Sequence, residues 1–158
     1  MINTPHIAQR TPQLVARIRL TIPRNEIHTV MGPGLGEIMT AVKSQGIDIA
    51  GPWFTHHLKM SPVKMDPGIF DFEICVPVTA PVAAVGRVTP GETVATRVAR
   101  TVYHGPYEGL GAAWGEFCAW ISANGHEPCA DLYECYLAGP ESSLNPEDWR
   151  TELSQPLK

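Results

Sequence analysis

The sequence contains two copies of one structural unit. Residues 46–58 align without a gap on residues 125–137, and residues 70–78 align in the same way on residues 149–157. The tripeptide Val-Ala-Arg also stands near the start of each copy. Few residues are identical, but aromatic residues, glycine, proline and glutamate keep their order. We therefore expect two similar units that pack together, with a ligand-binding cleft at their junction.

Length and charge limit the classes of protein that this chain could be. Its 158 residues suit one domain with a single core, and Lys and Arg are scattered through a chain of net charge −4. A nucleic-acid-binding face would need clustered basic side chains. The N-terminus lacks an apolar signal core, and no apolar run is long enough to cross a membrane. We expect a cytoplasmic protein whose partner is a small organic ligand, not nucleic acid or membrane; a protein partner has no specific indication.

Cysteine and histidine positions argue against a metal or cofactor. The chain has four cysteines, none in a Cys-x-x-Cys pair: Cys75, Cys118, Cys129 and Cys135. We expect them to be buried, reduced thiols. His56 and His57 are adjacent, so on a strand they point to opposite faces and cannot hold one zinc ion together. No metal and no cofactor are expected.

The first unit has the signals of one strand, one helix and two further strands. Apolar residues alternate from Leu14 to Leu20, which predicts a strand. Residues 27–45 carry helical signals that Gly32-Pro33-Gly34 interrupts. Residues 53–58 and 70–76 are typical of a strand pair.

The second unit repeats this order more clearly. Residues 94–103 predict a strand, and residues 131–137 and 149–153 predict two more. Between them lies a stripe with helical spacing, formed by Tyr107, Leu110, Gly111, Trp114, Phe117, Cys118 and Ile121. The prediction is a single α+β domain over residues 1–158, with antiparallel sheets, two main helices and pseudo-twofold symmetry. Repeat 1 covers about 12–78, a linker 79–91, and repeat 2 about 92–157.

One carboxylate is the strongest candidate for a functional group. On a strand, Glu134 shares its face with Leu132 and Tyr136, and an unpaired charge among apolar neighbours is costly. The alternative is an edge strand on which Glu134 is simply solvated. The first unit places Thr55 at the matching position, between Trp53 and His57. Both copies therefore offer aromatic side chains around one polar group, as a pocket would.

Two aromatic residues of the predicted helix stripe could line the same pocket. Tyr107 and Trp114 carry polar groups that a purely apolar core does not require. The alternative is that both only pack in the core. The predicted ligand-binding residues are Glu134, Tyr136, Trp114, Tyr107, Trp53, Thr55 and His57.

Short motifs of the second unit occur in the order of a known family: residues 102–110, Trp114, Trp120, residues 132–137, Asn145-Pro146 and residues 149–153. Together they resemble the GyrI-like small-molecule-binding domain, a family that includes the effector-binding halves of multidrug-responsive transcription activators. The resemblance covers nearly the whole chain and is weaker in the first unit. It implies two strand-helix-strand-strand repeats with a ligand groove between them. It also implies that Glu134 is the acidic residue at the base of the groove, with Tyr107, Trp114 and Tyr136 as aromatic walls.

Three functions follow from these expectations. The first is a stand-alone binder of amphipathic or cationic drug-like molecules, since only about a dozen residues precede the first predicted strand and leave no room for a helix-turn-helix. The second, implied by some family members, is hydrolysis of cyclopropane-containing genotoxins, with Glu134 and Tyr107 as catalytic residues. The third is a protein inhibitor of the gyrase type, or a ligand sensor for a separate regulator. Binding ranks first and protein inhibition last.

Overall fold

The fold is one antiparallel sheet covered on one face by two helices. The computed structural model describes residues 2–23, 26–58, 69–140 and 142–158. The elements are β1 His6–Arg10, β2 Leu14–Pro23, α1 Ile27–Ser44, β3 Phe54–His57, β4 Ile69–Pro77, β5 Thr89–Glu92, β6 Thr96–His104, α2 Leu110–Ala123, β7 Leu132–Ala138 and β8 Arg150–Pro156. Within the described residues, neither helix is long and apolar enough to span a bilayer.

The sheet has a mirrored strand order that confirms the predicted α+β architecture. Its eight strands run in the order β1-β6-β8-β7-β3-β4-β2-β5, and every neighbouring pair is antiparallel. The unit β2-α1-β3-β4 forms one half, and β6-α2-β7-β8 forms the other. The pairing of β3 with β7 is where the two halves join.

Local details repeat in both halves. Each helix is followed by a glycine in the left-handed region, Gly46 with φ 68° and Gly125 with φ 74°. Other side chains rarely adopt this conformation, so glycine ends both helices for the same reason. A single bridge then follows each helix at matching positions, Ile49 with Val78 and Pro128 with Leu157.

The strand register places the symmetry axis at one residue pair. In the β3–β7 ladder, Thr55 lies opposite Glu134, and the internal repeat also equates these two residues. Two equivalent residues that face each other across antiparallel strands must lie beside the approximate twofold axis. The sheet face that carries Thr55 and Glu134 is the face that the helices cover.

The core has two clusters on the helix-covered face, and a smaller third cluster of Val15, Phe54, Cys75 and Tyr133 on the helix-free face. The first joins α1 to the sheet through buried residues such as Ile18, Ile38 and Ile74. The second joins α2 to the sheet through Phe117, Ile121 and Leu153. The helices therefore stand over separate halves of the sheet, and the junction between the halves lies between them.

Neither of the two edge strands of the sheet, β1 and β5, was predicted from the sequence. Strand β1 pairs with β6, and β5, of which three of four residues lie in the predicted linker, pairs with β2. Both are short, and residues 89–92 read Thr-Pro-Gly-Glu, a composition typical of turns. Their extended conformation comes from pairing with a distant strand, which local sequence does not reveal. Strand β8 also continues to Pro156, beyond the predicted end at residue 153.

Helix α1 continues through Gly32-Pro33-Gly34, the segment predicted to interrupt it. Pro33 lies inside the helix, and its side chain is exposed. The apolar side chains that follow, including Ile38 and Val42, are buried against the sheet. Their burial outweighs the poor helix propensity of the Gly-Pro-Gly segment.

The packed face of α2 is narrower than the predicted stripe. Ala113, Phe117 and Ile121 are buried, whereas Gly111 and Cys118 are exposed. The expectation of four buried thiols is therefore wrong for Cys118; Cys75 is buried, and Cys129 and Cys135 are partly buried.

A charged cluster joins the two halves on the helix-free face. His56 stacks on Tyr133 with ring centroids 4.1 Å apart. Its Nε2 lies 2.8 Å from Asp131 Oδ2, and its Nδ1 lies 3.4 Å from Glu73 Oε1. Burial alone would lower the pKa of His56, but the hydrogen bonds to Asp131 and Glu73 outweigh it and raise the pKa. The two carboxylates therefore favour the protonated imidazole, which in that form links β4 to Asp131, the residue before β7.

This raised pKa predicts a pH-dependent stability. The contribution of His56 should be fully present below the unfolded-state pKa of 6.5 and should be lost as pH rises through the folded-state pKa. Urea unfolding at a series of pH values should show the free energy of unfolding falling over that interval. His56→Gln should flatten the slope, whereas the exposed His6→Gln should keep it. An equal slope in His56→Gln would contradict the assignment.

Two glycines of α1 provide a matched test of helix packing. A Cβ at Gly34 would stand 2.7 Å from Ile74 Cδ1, whereas a Cβ at Gly36 would meet nothing within 4 Å. Both alanine variants gain the same helix propensity, but Gly34→Ala must displace a buried side chain. We expect Gly34→Ala to be less stable than Gly36→Ala by about 1–3 kcal/mol in chemical denaturation. Equal stabilities would show that α1 does not pack on Ile74 this closely.

Candidate ligand-binding site

A cavity of about 370 Å³ lies between the two helices, above the junction of β3 and β7. Helix α1, helix α2 and the sheet all contribute to its walls. Its lining residues are Ile27, Met31, Trp53, His57, Phe70, Tyr107, Leu110, Gly111, Trp114, Leu132, Glu134 and Tyr136. Most of these side chains are aromatic or aliphatic, and Glu134 is the acidic one.

Glu134 lies at the floor of the cavity and is held by two neutral donors. Trp114 Nε1 donates to Oε2 at 2.8 Å, and the Tyr136 hydroxyl donates to Oε1 at 3.2 Å. His57 Nε2 lies 3.8 Å from Oε1, which is beyond hydrogen-bond distance but within ion-pair distance when the imidazole is protonated. The Glu134 side chain is only 12% exposed, so the solvated edge-strand alternative does not hold.

Burial decides the protonation behaviour of this carboxyl. Loss of solvent raises the pKa of Glu134, and the hydrogen bonds from Trp114 and Tyr136 lower it by less. The net pKa is therefore above the ordinary value for glutamate. The group keeps its charge in the pocket only with help from these donors or from a positive charge placed beside it.

Thr55 takes part indirectly, through Tyr136. The Thr55 and Tyr136 hydroxyl oxygens lie 2.8 Å apart, and Thr55 is fully buried. Because the Tyr136 proton points to Glu134, Thr55 donates to the Tyr136 oxygen. Burial, and next the nearby charge of Glu134, raise the pKa of Tyr136 well above its ordinary value, so the phenol stays protonated. The result is a chain of hydrogen bonds from Thr55 through Tyr136 to Glu134.

Aromatic rings form the walls around the carboxylate. The Trp53 and Tyr136 rings lie 4.3 Å apart, centroid to centroid, and Tyr107 meets Tyr136 edge-on at 6.0 Å. Trp114 stands on the α2 side and packs on Phe117 at 5.6 Å. Trp114 therefore both packs in the core and lines the cavity.

A tight turn before α2 brings Tyr107 to the cavity. The Tyr103 hydroxyl donates to the Pro106 carbonyl at 2.7 Å, just before the 3₁₀ turn Tyr107–Gly109. A Cβ at Gly109 would stand 2.0 Å from the Tyr103 hydroxyl, so only glycine allows this approach. The buried Tyr103 thus anchors the turn that carries Tyr107.

The structure brings six of the seven predicted site residues to the cavity wall. They are Glu134, Tyr136, Trp114, Tyr107, Trp53 and His57. Thr55 lies behind Tyr136 and does not line the cavity. His56 points to the opposite face, as the alternation along β3 predicts.

Sequence reasoning missed the apolar residues at the start of α1 and on β4. Ile27 and Met31 line the cavity from one turn of α1, and Phe70 does so from β4. The i, i+4 spacing of Ile27 and Met31 was visible, but the Gly-Pro-Gly segment directly after them hid the continuity of the helix.

The donors to Glu134 can be tested by titration. Trp114→Phe and Tyr136→Phe each remove one hydrogen bond that favours the charged carboxylate, so each should raise the pKa of Glu134 further. Carboxyl ¹³C NMR of the variants would measure this. Trp120→Phe is the control, since Trp120 packs beside His126 outside the cavity. A pKa unchanged in both test variants would exclude these hydrogen bonds.

Comparison with known proteins identifies the fold and family. The sequence profile of the GyrI-like small molecule binding domain matches residues 3–158. No curated protein matches the chain in sequence. The crystal structure of the EcmrR C-terminal domain has a TM-score of 0.84 at 20% identity, and the match covers 98% of this chain and 97% of that one. In the EcmrR–DNA complex the TM-score is 0.83 at 19% identity, with coverage of 98% and 57%, so the chain spans little more than half the length of that protein.

Two further solved structures share the fold at lower similarity. A hydrolase encoded by lin2189 from Listeria innocua has a TM-score of 0.66 at 11% identity, over 98% of this chain and 91% of that one. SAV2435 bound to tetraphenylphosphonium has a TM-score of 0.65 at 12% identity, over 99% and 94%. At these identities the likenesses show the fold alone. With the match of the family profile along almost its full length, the chain belongs to the GyrI-like small molecule binding domain family.

Proposed function

We propose that the protein binds lipophilic organic cations in the cavity between α1 and α2, in sensing of or protection against foreign compounds. The observation that carries this proposal is a buried carboxylate, Glu134, held by neutral donors and surrounded by aromatic rings. The predicted site residues act here as walls and floor, with Thr55 supporting Tyr136.

The energetics of the site favour a positive ligand. Burial raises the pKa of Glu134, which means that the charged form is destabilised in this environment. A cation beside Glu134 would restore the lost stabilisation, and the faces of Trp53, Tyr107 and Trp114 attract positive charge. A neutral molecule would gain only the apolar contacts. The volume of about 370 Å³ lies within the range of about 300–1,000 Å³ for ligand pockets.

A solved structure of the same fold supports this ligand class. In its solved structure, SAV2435 is bound to tetraphenylphosphonium, a cation whose charge is surrounded by aromatic rings. EcmrR, the more similar neighbour, is a DNA-bound protein with a domain of this fold. Ligand binding by the present domain would suit a sensor that works together with a DNA-binding protein.

Hydrolysis is a second candidate because a carboxylate with a raised pKa is suited to accept a proton near neutral pH. In that reaction Glu134 would take a proton from a water as the water oxygen bonds to a cyclopropane carbon. The strained ring bond would break, and the released carbon would take up the proton, while the Tyr107 hydroxyl would donate to the substrate oxygen. The neighbour from Listeria innocua named a hydrolase has the same fold.

Charge removal at Glu134 separates cationic from neutral ligands. Glu134→Gln keeps the size of the side chain, and should weaken tetraphenylphosphonium binding about tenfold or more, a loss of about 1.4 kcal/mol or more. Binding of neutral triphenylphosphine oxide should change little. Isothermal titration calorimetry would measure both. The control is Glu116→Gln, on the exposed side of α2. Equal losses for both ligands would show that the charge is not what the site recognises.

The same carboxyl predicts a pH dependence of binding. As pH falls through the raised pKa of Glu134, the carboxylate becomes neutral and affinity for tetraphenylphosphonium should fall. In Glu134→Gln the affinity should be lower and nearly independent of pH over this interval. A parallel decline in the variant would assign the titration to another group.

Product analysis distinguishes binding from hydrolysis. A cyclopropane-containing electrophile incubated with excess protein should be recovered unchanged if the protein only binds. Turnover that is present in the native protein and absent in Glu134→Gln would favour the hydrolase.

A further inference from the structure

A second cavity lies on the helix-free face of the sheet and differs from the first in charge. Its volume is about 280 Å³, and strands β1, β3, β6, β7 and β8 contribute to it. The lining residues are Gln9, Arg10, Thr11, Gln13, Pro52, Phe54, Arg100, Cys135, Leu137 and Glu152. Among the described residues, Arg10, Arg100 and Glu152 are the charged groups of this lining, whereas the first cavity has one carboxylate, Glu134, and one imidazole, His57.

Arg10 is held in the wall by stacking. Its guanidinium carbon lies 4.0 Å from the centroid of the Tyr133 ring and 4.8 Å from that of Phe54. The residue is only 8% exposed. Nη2 donates to Gln13 Oε1 at 3.3 Å, and within the described part of the chain Nε has no hydrogen-bond partner. A buried guanidinium with unused donors is costly unless an acceptor reaches it.

Arg100 lines the same cavity and adds a second positive charge. Its Nε donates to Ser154 Oγ at 3.1 Å and lies 3.5 Å from Glu152 Oε1. Burial first, and next the charge of Arg100, lower the pKa of Arg10 below its ordinary value. The two guanidinium groups therefore repel each other across the cavity.

The remaining groups do not cancel this positive charge. Glu152 supplies one carboxylate against the two arginines. Burial raises the pKa of Cys135 to about 12, so its thiol is neutral. Gln9, Thr11 and Gln13 are uncharged. The cavity is thus locally cationic in a chain whose formal net charge is −4.

We propose that this second cavity binds an oxyanion group, carboxylate or phosphate, of a small molecule. Planar guanidinium groups match both kinds of oxyanion with paired hydrogen bonds. An anion between Arg10 and Arg100 would offset their repulsion and accept hydrogen bonds from the guanidinium groups that line the cavity. The Tyr133 and Phe54 rings beneath Arg10 fix its position before a ligand arrives.

The test uses inorganic phosphate and succinate as separate probes, titrated at constant ionic strength with chloride as the balancing anion. Saturable shifts of the amide and guanidinium NMR signals of Gln9, Arg10 and Gln13 are expected with at least one probe. A shift with phosphate alone would indicate a phosphorylated ligand, and a shift with succinate alone would indicate a carboxylate ligand. Shifts with both probes would indicate a general oxyanion site. No saturable shift with either probe would overturn the proposal.

Charge variants test whether the two arginines are responsible. Arg100→Gln should weaken binding about tenfold or more. Glu152→Gln removes the opposing carboxylate and should strengthen binding about threefold, an effect that a purely structural role would not produce. Arg19→Gln is the control, because Arg19 pairs with Asp71 on the same face and its side chain is 59% exposed. Native affinity in Arg100→Gln, or weaker binding in Glu152→Gln, would overturn the proposal.

Discussion

The antiparallel ladder between β3 and β7 is the interaction on which the rest of this structure depends. It joins two half-sheets, each with its own helix and core cluster, and its register decides which side chains reach which face. A slip by one residue would turn Glu134 to the helix-free face and Cys135 into the cavity. The register of the β3–β7 ladder therefore determines three features of the molecule. They are the floor of the proposed cation site, the wall of the proposed anion site and the symmetry of the fold.

Much of the fold could be predicted because the repeat supplies each weak signal twice. The interrupted helix of the first unit is ambiguous alone, but its counterpart, α2, has a clear stripe that ends at Gly125. The edge strands had no such support. Residues 89–92 have a turn composition and become a strand only through pairing with β2, an interaction between segments far apart in sequence. The predicted interruption of α1 at Pro33 is wrong for a related reason. The burial of Ile38 against the sheet outweighs the low helix propensity of the Gly-Pro-Gly segment.

The part of the candidate site that lies on one strand, β7, could be predicted from the sequence. Alternation alone places Leu132, Glu134 and Tyr136 on one face, and the repeat adds Thr55 opposite. Helical residues are harder to assign, because contact with the cavity depends on how α1 sits on the sheet. The second cavity could not be anticipated at all: Arg10 belongs to β1, and its stacking on Tyr133 requires the strand order of the folded sheet.

The position of Thr55 and Glu134 beside the twofold axis limits how far the two halves can resemble each other. A perfectly duplicated chain would carry the same residue at both positions. Two glutamates there would face each other with Cβ atoms about 4.5–5.5 Å apart in a site sheltered from solvent, and they could not both ionise. Two threonines would leave no charge. A pair of glutamates would share one proton, so that a single negative charge would be spread over two carboxyl groups. Unequal halves instead place the charge on one residue, Glu134, with the Thr55 and Tyr136 hydroxyls beside it.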